Sequence, residues 1–268
     1  MIIKLYNQLT RKAKPLMIAL LVILLTWGAI KQYPNIHTAT TLLQVLLAIA
    51  VAIFAEHAFG GAVNNNSRQS AVISGMLVGM LLVPGVDYKI LWLAAVTAIA
   101  SKYLLKFSSG RHIFNPAATG LMLVSLIWGN KINWWGFTSP YIVIILGGFI
   151  LYRLKRLSMV FSYYIFRVAG LVALNGLELD SSMLLMPNMF FAFIMLIEPK
   201  TSPSVRLEQW IFGCICGLLS SATFILVPSI DGDLASLMVV NLLRPVIKRT
   251  ASKILNLRTS SMPETVKG

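Results

Sequence analysis

Acidic side chains are scarce in this chain. Nine Asp and Glu stand against 23 Lys and Arg, and residues of either charge fill only 12% of the 268 positions. So little charge beside 57% hydrophobic residues excludes a soluble domain of this size. The mean hydropathy of +0.78 points instead to an all-α integral membrane protein. Histidine and cysteine are also rare. His37, His57 and His112 are scattered, and no G-x-S-x-G, P-loop or CxxC pattern occurs, so redox chemistry requires a bound cofactor. Cys214 and Cys216 lie two apart in the apolar run GCICG and point to different sides of a helix. That placement suits burial better than a shared metal, and it implies no disulfide framework. The net charge of +14 is dispersed in small clusters between apolar runs, which is the pattern of membrane orientation and not of a nucleic-acid face.

Ten apolar runs are candidate membrane segments: 15–30, 38–60, 70–84, 90–106, 116–129, 141–152, 158–174, 183–198, 208–228 and 234–248. The first follows Lys4, Arg11, Lys12 and Lys14 but lacks a small-residue cleavage pattern, so it reads as a membrane helix and not as a signal peptide. Segments 70–84 and 116–129 reach only about 21–22 Å at 1.5 Å per residue, short of the ~30 Å of a bilayer core, and are expected to be broken or partly inserted helices facing protein. With the N-terminus inside, 19 of the 23 basic residues fall on the cytoplasmic side. Only Lys31, Lys89 and Lys131 fall outside, and Arg167 lies within a span. Both termini are therefore expected in the cytoplasm of a cell inner (plasma) membrane protein. The expected organisation is a cytoplasmic segment 1–14, one transmembrane domain 15–250 and a disordered cytoplasmic tail 251–268. Met80 to Pro84 (MLLVP) and Met195 to Pro199 (MLIEP) end the third and eighth segments, which run in opposite directions, so two inverted five-helix halves, 15–129 and 141–250, are expected.

Within Ser109 to Gly120, SGRHIFNPAATG, a Gly break and a basic Arg111-His112 step precede Asn115-Pro116. Asn caps free N–H groups and Pro at the first helical position loses no hydrogen bond, so a helix is expected to start at Pro116. Its first turn is small, Ala117 to Gly120, and admits either a ligand or a close helix crossing at its positive end. Glu56 and His57 fall in the last turns of the second segment, Arg167 in the seventh and Glu198 at the end of the eighth. Glu56, His57 and Glu198 lie near an interface where snorkelling accounts for them. Arg167 is deeper and calls for either a structural partner or an anionic ligand. Trp134 and Trp135 suit an interfacial aromatic belt, and their indoles also suit stacking on a flavin ring.

SGRHIFNPAATG resembles a segment of the NqrB/RnfD family, the membrane subunits of ion-translocating electron-transport complexes. FFAFIMLIEPKTSP, from Phe190 to Pro203, and VVNLLRPVIKR, with Asn241 and Pro245, resemble two more. The resemblance covers most of the chain from about Ser70 and implies ten helices, a flavin cofactor (FMN or riboflavin) and partner subunits that include an FMN-binding or iron–sulfur protein. Carried onto the matching segments, it offers Arg111, His112, Asn115, Pro116, Thr119, Glu198 and Thr201 as cofactor-binding candidates. Family members commonly esterify FMN to a Thr in the loop after the fifth helix. Here that loop, GNKINWWGFTSP, lacks the motif and offers only Thr138, preceded by Phe137, so a non-covalent flavin is expected. The implied function is electron transfer through flavin across the membrane, with coupling to ion translocation as in that family. A transporter or channel for a small solute, flavin included, is the alternative.

Overall fold

The apolar runs form helices throughout the computed structural model, which describes residues 13–32, 37–61, 64–107, 110–129, 131–136, 139–175 and 188–260. In chain order the helices are α1 (Ala13–Gln32), α2 (His37–Gly60), α3 (Asn65–Leu81), α4 (Tyr88–Leu104) and α5 (Pro116–Trp128). They continue as α6 (Pro140–Leu154), α7 (Leu157–Asn175), α8 (188–195), α9 (Arg206–Leu226) and α10 (Gly232–Ser260). Each expected segment falls on one of them. Four contain spans long and apolar enough to cross a membrane, namely Lys14–Lys31, Ala39–Gly60, Leu157–Leu174 and Arg206–Leu226. The chain is a multi-pass membrane protein. Its core buries Leu20, Leu21, Met80, Tyr163, Phe191 and Phe212, while Phe54, Leu126, Ile145 and Phe161 face outward, where lipid meets them.

Three boundaries differ from the sequence expectation. α3 starts at Asn65, five residues early, because the Asn64 side chain accepts the Ser67 N–H at 2.9 Å and caps a polar first turn that no apolar pattern marks. α8 ends in a π-helical turn, Phe191–Met195, so Glu198 lies beyond the helix in a turn. α10 runs to Ser260, through the first ten residues of the expected tail, since Pro245 is accommodated inside it and Ala251 is buried. Residues 261–268 of that tail lie outside the described residues.

Short helices leave backbone groups that lipid cannot satisfy, so something must reach their ends. At the end of α3, Val83-Pro84-Gly85-Val86 forms a turn in which Gly85 sits at φ +74° and the Val86 N–H returns to the Val83 carbonyl at 3.1 Å. Gln44 of α2 clamps it, donating to Gly79 O at 2.9 Å and accepting from Gly85 N–H at 2.9 Å. The loop after α5 supplies the rest. Its Asn133 and Gly136 N–H groups donate to Leu81 O (2.7 Å) and Met80 O (3.1 Å), and Val83 N–H donates to Lys131 O (2.9 Å). Trp134 and Trp135 fold inward with this loop. Trp135 is buried with its indole N–H 3.3 Å from Gly79 O, and Trp134 donates to Asp231 at 2.8 Å while packing edge-on against Phe190 and Phe191. They form neither an interfacial belt nor an open stacking platform. Trp135 reaches a carbonyl near the end of α3 and Trp134 a carboxylate, so both indole donors are satisfied inside.

The packing order recurs along the chain. α2 packs on α4 and α4 on α5; α7 packs on α9 and α9 on α10. α5 is capped by Asn115, whose Oδ1 accepts from Ala118 N–H at 3.1 Å, and α10 by Asp231, whose Oδ1 accepts from Leu234 N–H at 2.9 Å. Each set of packed helices also carries a buried ion pair: Glu56 with Lys102 at 3.3 Å, and Arg167 with Asp233 at 2.7 Å.

Candidate functional site

Where α5 begins, α8 ends. The Asn115 side chain caps its own helix with its oxygen and donates from its amide nitrogen to Met195 O at 3.3 Å, tying the first turn of α5 to the π turn of α8. The α8 π turn meets a second one in α6, Val143–Gly147, at the Gly147–Phe193 contact. Such turns are frequent where a helix is opened for function. Between these broken elements lies a cavity of about 120 Å³. Its walls are aliphatic, with Met17, Leu77, Ile150 and Ile194, and its polar groups are Asn115, Lys14, Lys200, Glu198, Ser70 and Ser74. Two ammonium groups and the positive end of α5 against one carboxylate give a site that attracts a small anion.

The sequence candidates separate in space. Asn115, Pro116 and Glu198 line the cavity. Thr201 holds Glu198 through its hydroxyl, 3.3 Å from Glu198 Oε2. His112 reaches the site indirectly. Its Nδ1 lies 3.1 Å from Lys102 O, an atom that only accepts, so Nδ1 carries the proton and Nε2 accepts from Lys200 Nζ at 3.2 Å. Thr119 faces the other way, its hydroxyl bonded to Asn115 O at 2.9 Å and resting on Met238 of α10. Arg111 lies in a separate groove with Arg244 and Lys248. Thr138 lies outside the described residues. Lys14 and Lys200 were legible only as orientation charges, and nothing in their sequence neighbourhood marks them as cavity residues.

Glu56 does not snorkel. It is 2% exposed, paired with Lys102 and accepting from the Tyr103 hydroxyl at 2.7 Å, whereas His57 is exposed. Glu198 sits half-buried at the cavity. Of the two readings of Arg167, the structure gives a partner: Asp233, whose Oδ1 also accepts from the Tyr163 hydroxyl at 2.8 Å and contacts Ser220.

Burial, then the charge of Lys200, pushes the His112 pKa down to about 4. Because the folded value lies below the ordinary 6.5, the neutral ring contributes its full stability above about pH 6.5 and loses it as pH falls toward 4. The expected outcome is an acid limb in the unfolding midpoint between those values that is flattened in His112→Asn, whose amide keeps the bond to Lys102 O without titrating. An identical limb in both proteins would contradict the assignment. At α5, Asn115→Ala is expected to lose about 0.5–2 kcal/mol with the cap, and somewhat more through the Met195 tie. Thr119→Leu is expected to lower the unfolding midpoint by crowding Met238, without altering the cavity. Thermal unfolding in detergent checks both.

Flavin is the group that the resemblance implies. Aliphatic walls and a cationic end suit its ring chemically, but about 120 Å³ is far below the roughly 300–1,000 Å³ of sites that enclose ligands of this size. At about 120 Å³ the cavity is small for an isoalloxazine ring. No curated protein matches the chain. Residues 6–141, half of the chain, match the model of the NQR2, RnfD, RnfE family, and the chain belongs to that family.

Proposed function

We propose that the chain is a membrane subunit of an Rnf/NQR-type electron-transport complex, built from ten membrane segments in two inverted halves, 15–129 and 141–250, with both termini in the cytoplasm. The observation that carries this reading is the family match over residues 6–141. The repeated packing order supports the inverted halves, as do the matched caps at Asn115 and Asp231. So does the pair of MLxxP ends, whose Met80 and Met195 carbonyls both accept from a distant segment. Inverted halves place a binding site where their broken helices cross, which is where the cavity lies. Other subunits, an FMN-binding or iron–sulfur protein among them, supply redox centres, and a non-covalent flavin in the assembly lies outside the small cavity.

One observation favours a second reading. A cavity of about 120 Å³ with two lysines suits a small anionic solute, so a transporter on the same core is the rival. Affinity purification of the tagged full chain from its native membranes separates the two. The electron-transport reading expects co-eluting partners and a visible flavin or iron–sulfur spectrum. A chain that elutes alone and colourless, and that drives anion uptake into vesicles, would overturn it.

A further inference from the structure

The groove that holds Arg111 is a second site, distinct from the cavity. It measures about 700 Å³ and opens between the start of α9, at Ser204 and Val205, and the face of α10 that carries Arg244 and Lys248. Arg111 reaches it from the segment before α5, and Glu208 is the one carboxylate among its lining residues. Val205 at the N-cap of α9 makes no side-chain capping bond, so the positive end of that helix also faces the groove.

A helix end and surface cations alone would not make a site, but Arg156 adds an independent feature. It is 6% exposed, and its Nε and Nη1 are buried without a hydrogen-bond partner. Burial first, then the charges of Arg244 and Arg111, push its pKa down to about 10, while Glu208 acts in the opposite direction. Three lining cations, with Arg156 in electrostatic range of two of them, thus face one carboxylate, and no ion pair within 4 Å joins them to it among the described residues. Buried guanidinium nitrogens without partners are costly to keep unless an anion answers their charge.

We propose that this groove binds a phosphate-bearing anion. The guanidinium forks of Arg111 and Arg244 and the Lys248 ammonium bind its oxygens, and Arg156, close enough to interact with Arg111 and Arg244, adds positive charge. A dianionic, three-oxygen group matches this donor set better than a single carboxylate, because several forked donors and an excess of positive charge have to be satisfied together. The phosphate is carried either by an anionic lipid headgroup or by a soluble molecule. The site stands whether or not the chain carries electrons.

Thermal unfolding of the purified full chain tests it in two arms. In the first, inorganic phosphate is compared with chloride at equal ionic strength. In the second, phosphatidylcholine vesicles are compared with vesicles containing phosphatidylglycerol. A rise of several degrees in the phosphate arm alone identifies a soluble phosphate, and a rise in the phosphatidylglycerol arm alone identifies a headgroup. In either case the rise should vanish in Arg111→Gln, an exposed side chain, and in Arg244→Gln, whose separate loss of the 2.8 Å bond to Lys200 O is read from the anion-free proteins. Relief of like-charge crowding should also leave the anion-free Arg111→Gln protein no less stable than the parent. No rise beyond chloride in either arm, or a rise that persists in both variants, would overturn the proposal.

Discussion

Asp233→Asn is expected to destabilise the fold by about 3–5 kcal/mol, the range for breaking a buried ion pair from one side. Asp233 is 5% exposed and Arg167 6%, and the same carboxylate oxygen accepts from Arg167 at 2.7 Å and from Tyr163 at 2.8 Å. Neutralising it leaves a cation at membrane depth with no counter-charge, and Arg167 Nε already lacks a hydrogen-bond partner. Asparagine keeps the shape, so the loss reports charge and not a cavity. Removing both charges with Arg167→Met and Asp233→Leu should recover part of the stability, because no charge is then left unpaired although the buried Tyr163 hydroxyl loses its acceptor. Denaturant unfolding of the single and double variants in detergent measures the coupling. A single variant within ~0.5 kcal/mol of the parent would show that the pair does not lock α7 to α10.

Gly213→Ala and Gly217→Ala are each expected to cost about 1–3 kcal/mol, and their joint effect should not be additive because both act on one helix crossing. The two residues lie one turn apart on α9, against the backbone of α7. A Cβ on Gly217 would overlap the Tyr163 carbonyl oxygen and come within 2.7 Å of Arg167 N. One on Gly213 would overlap the Met159 carbonyl oxygen and come within 2.9 Å of Tyr163 N. The obstruction is backbone on both sides, so relief requires moving α9 away from the helix that carries Arg167 and Tyr163. Gly148 provides the control. Nothing lies within 4 Å of its Cβ position, so Gly148→Ala in α6 should be neutral or stabilise by up to ~1 kcal/mol. Equal losses at Gly148 and Gly217 would mean that close approach is not the cause.

That crossing is legible in the sequence, because GCICG is a small-x-x-x-small pattern whose two glycines set the α7–α9 distance. Asn115-Pro116 specified the start of α5 to the residue, because cap and N1 chemistry are local. The apolar runs likewise located every helix, since burial in lipid or protein leaves a compositional trace. What could not be read depends on distant partners. Arg167 meets Asp233 across 66 positions, Asn115 meets Met195 across 80, and Trp134 turns inward toward Asp231 across 97. The cavity is of the same kind: Lys14 and Glu198 lie far apart in sequence and join only because α8 breaks beside the start of α5. The end of α10 differs for another reason, since its last turns, ASKILNLRTS, are too polar to mark a membrane span although Ala251 is buried.

The proposed membrane core of two inverted halves has the start of α5 and the end of α8 at one face and the α3–α4 turn at the other. Single cysteines at Lys89, beside that turn, and at Ser204, beyond the end of α8, test it in intact cells with a membrane-impermeant thiol reagent, in a background where Cys214 and Cys216 are replaced by Ala. The account predicts that the Lys89 position labels from outside and that the Ser204 position labels only after the membrane is permeabilised. Labelling of both from the same side would contradict it.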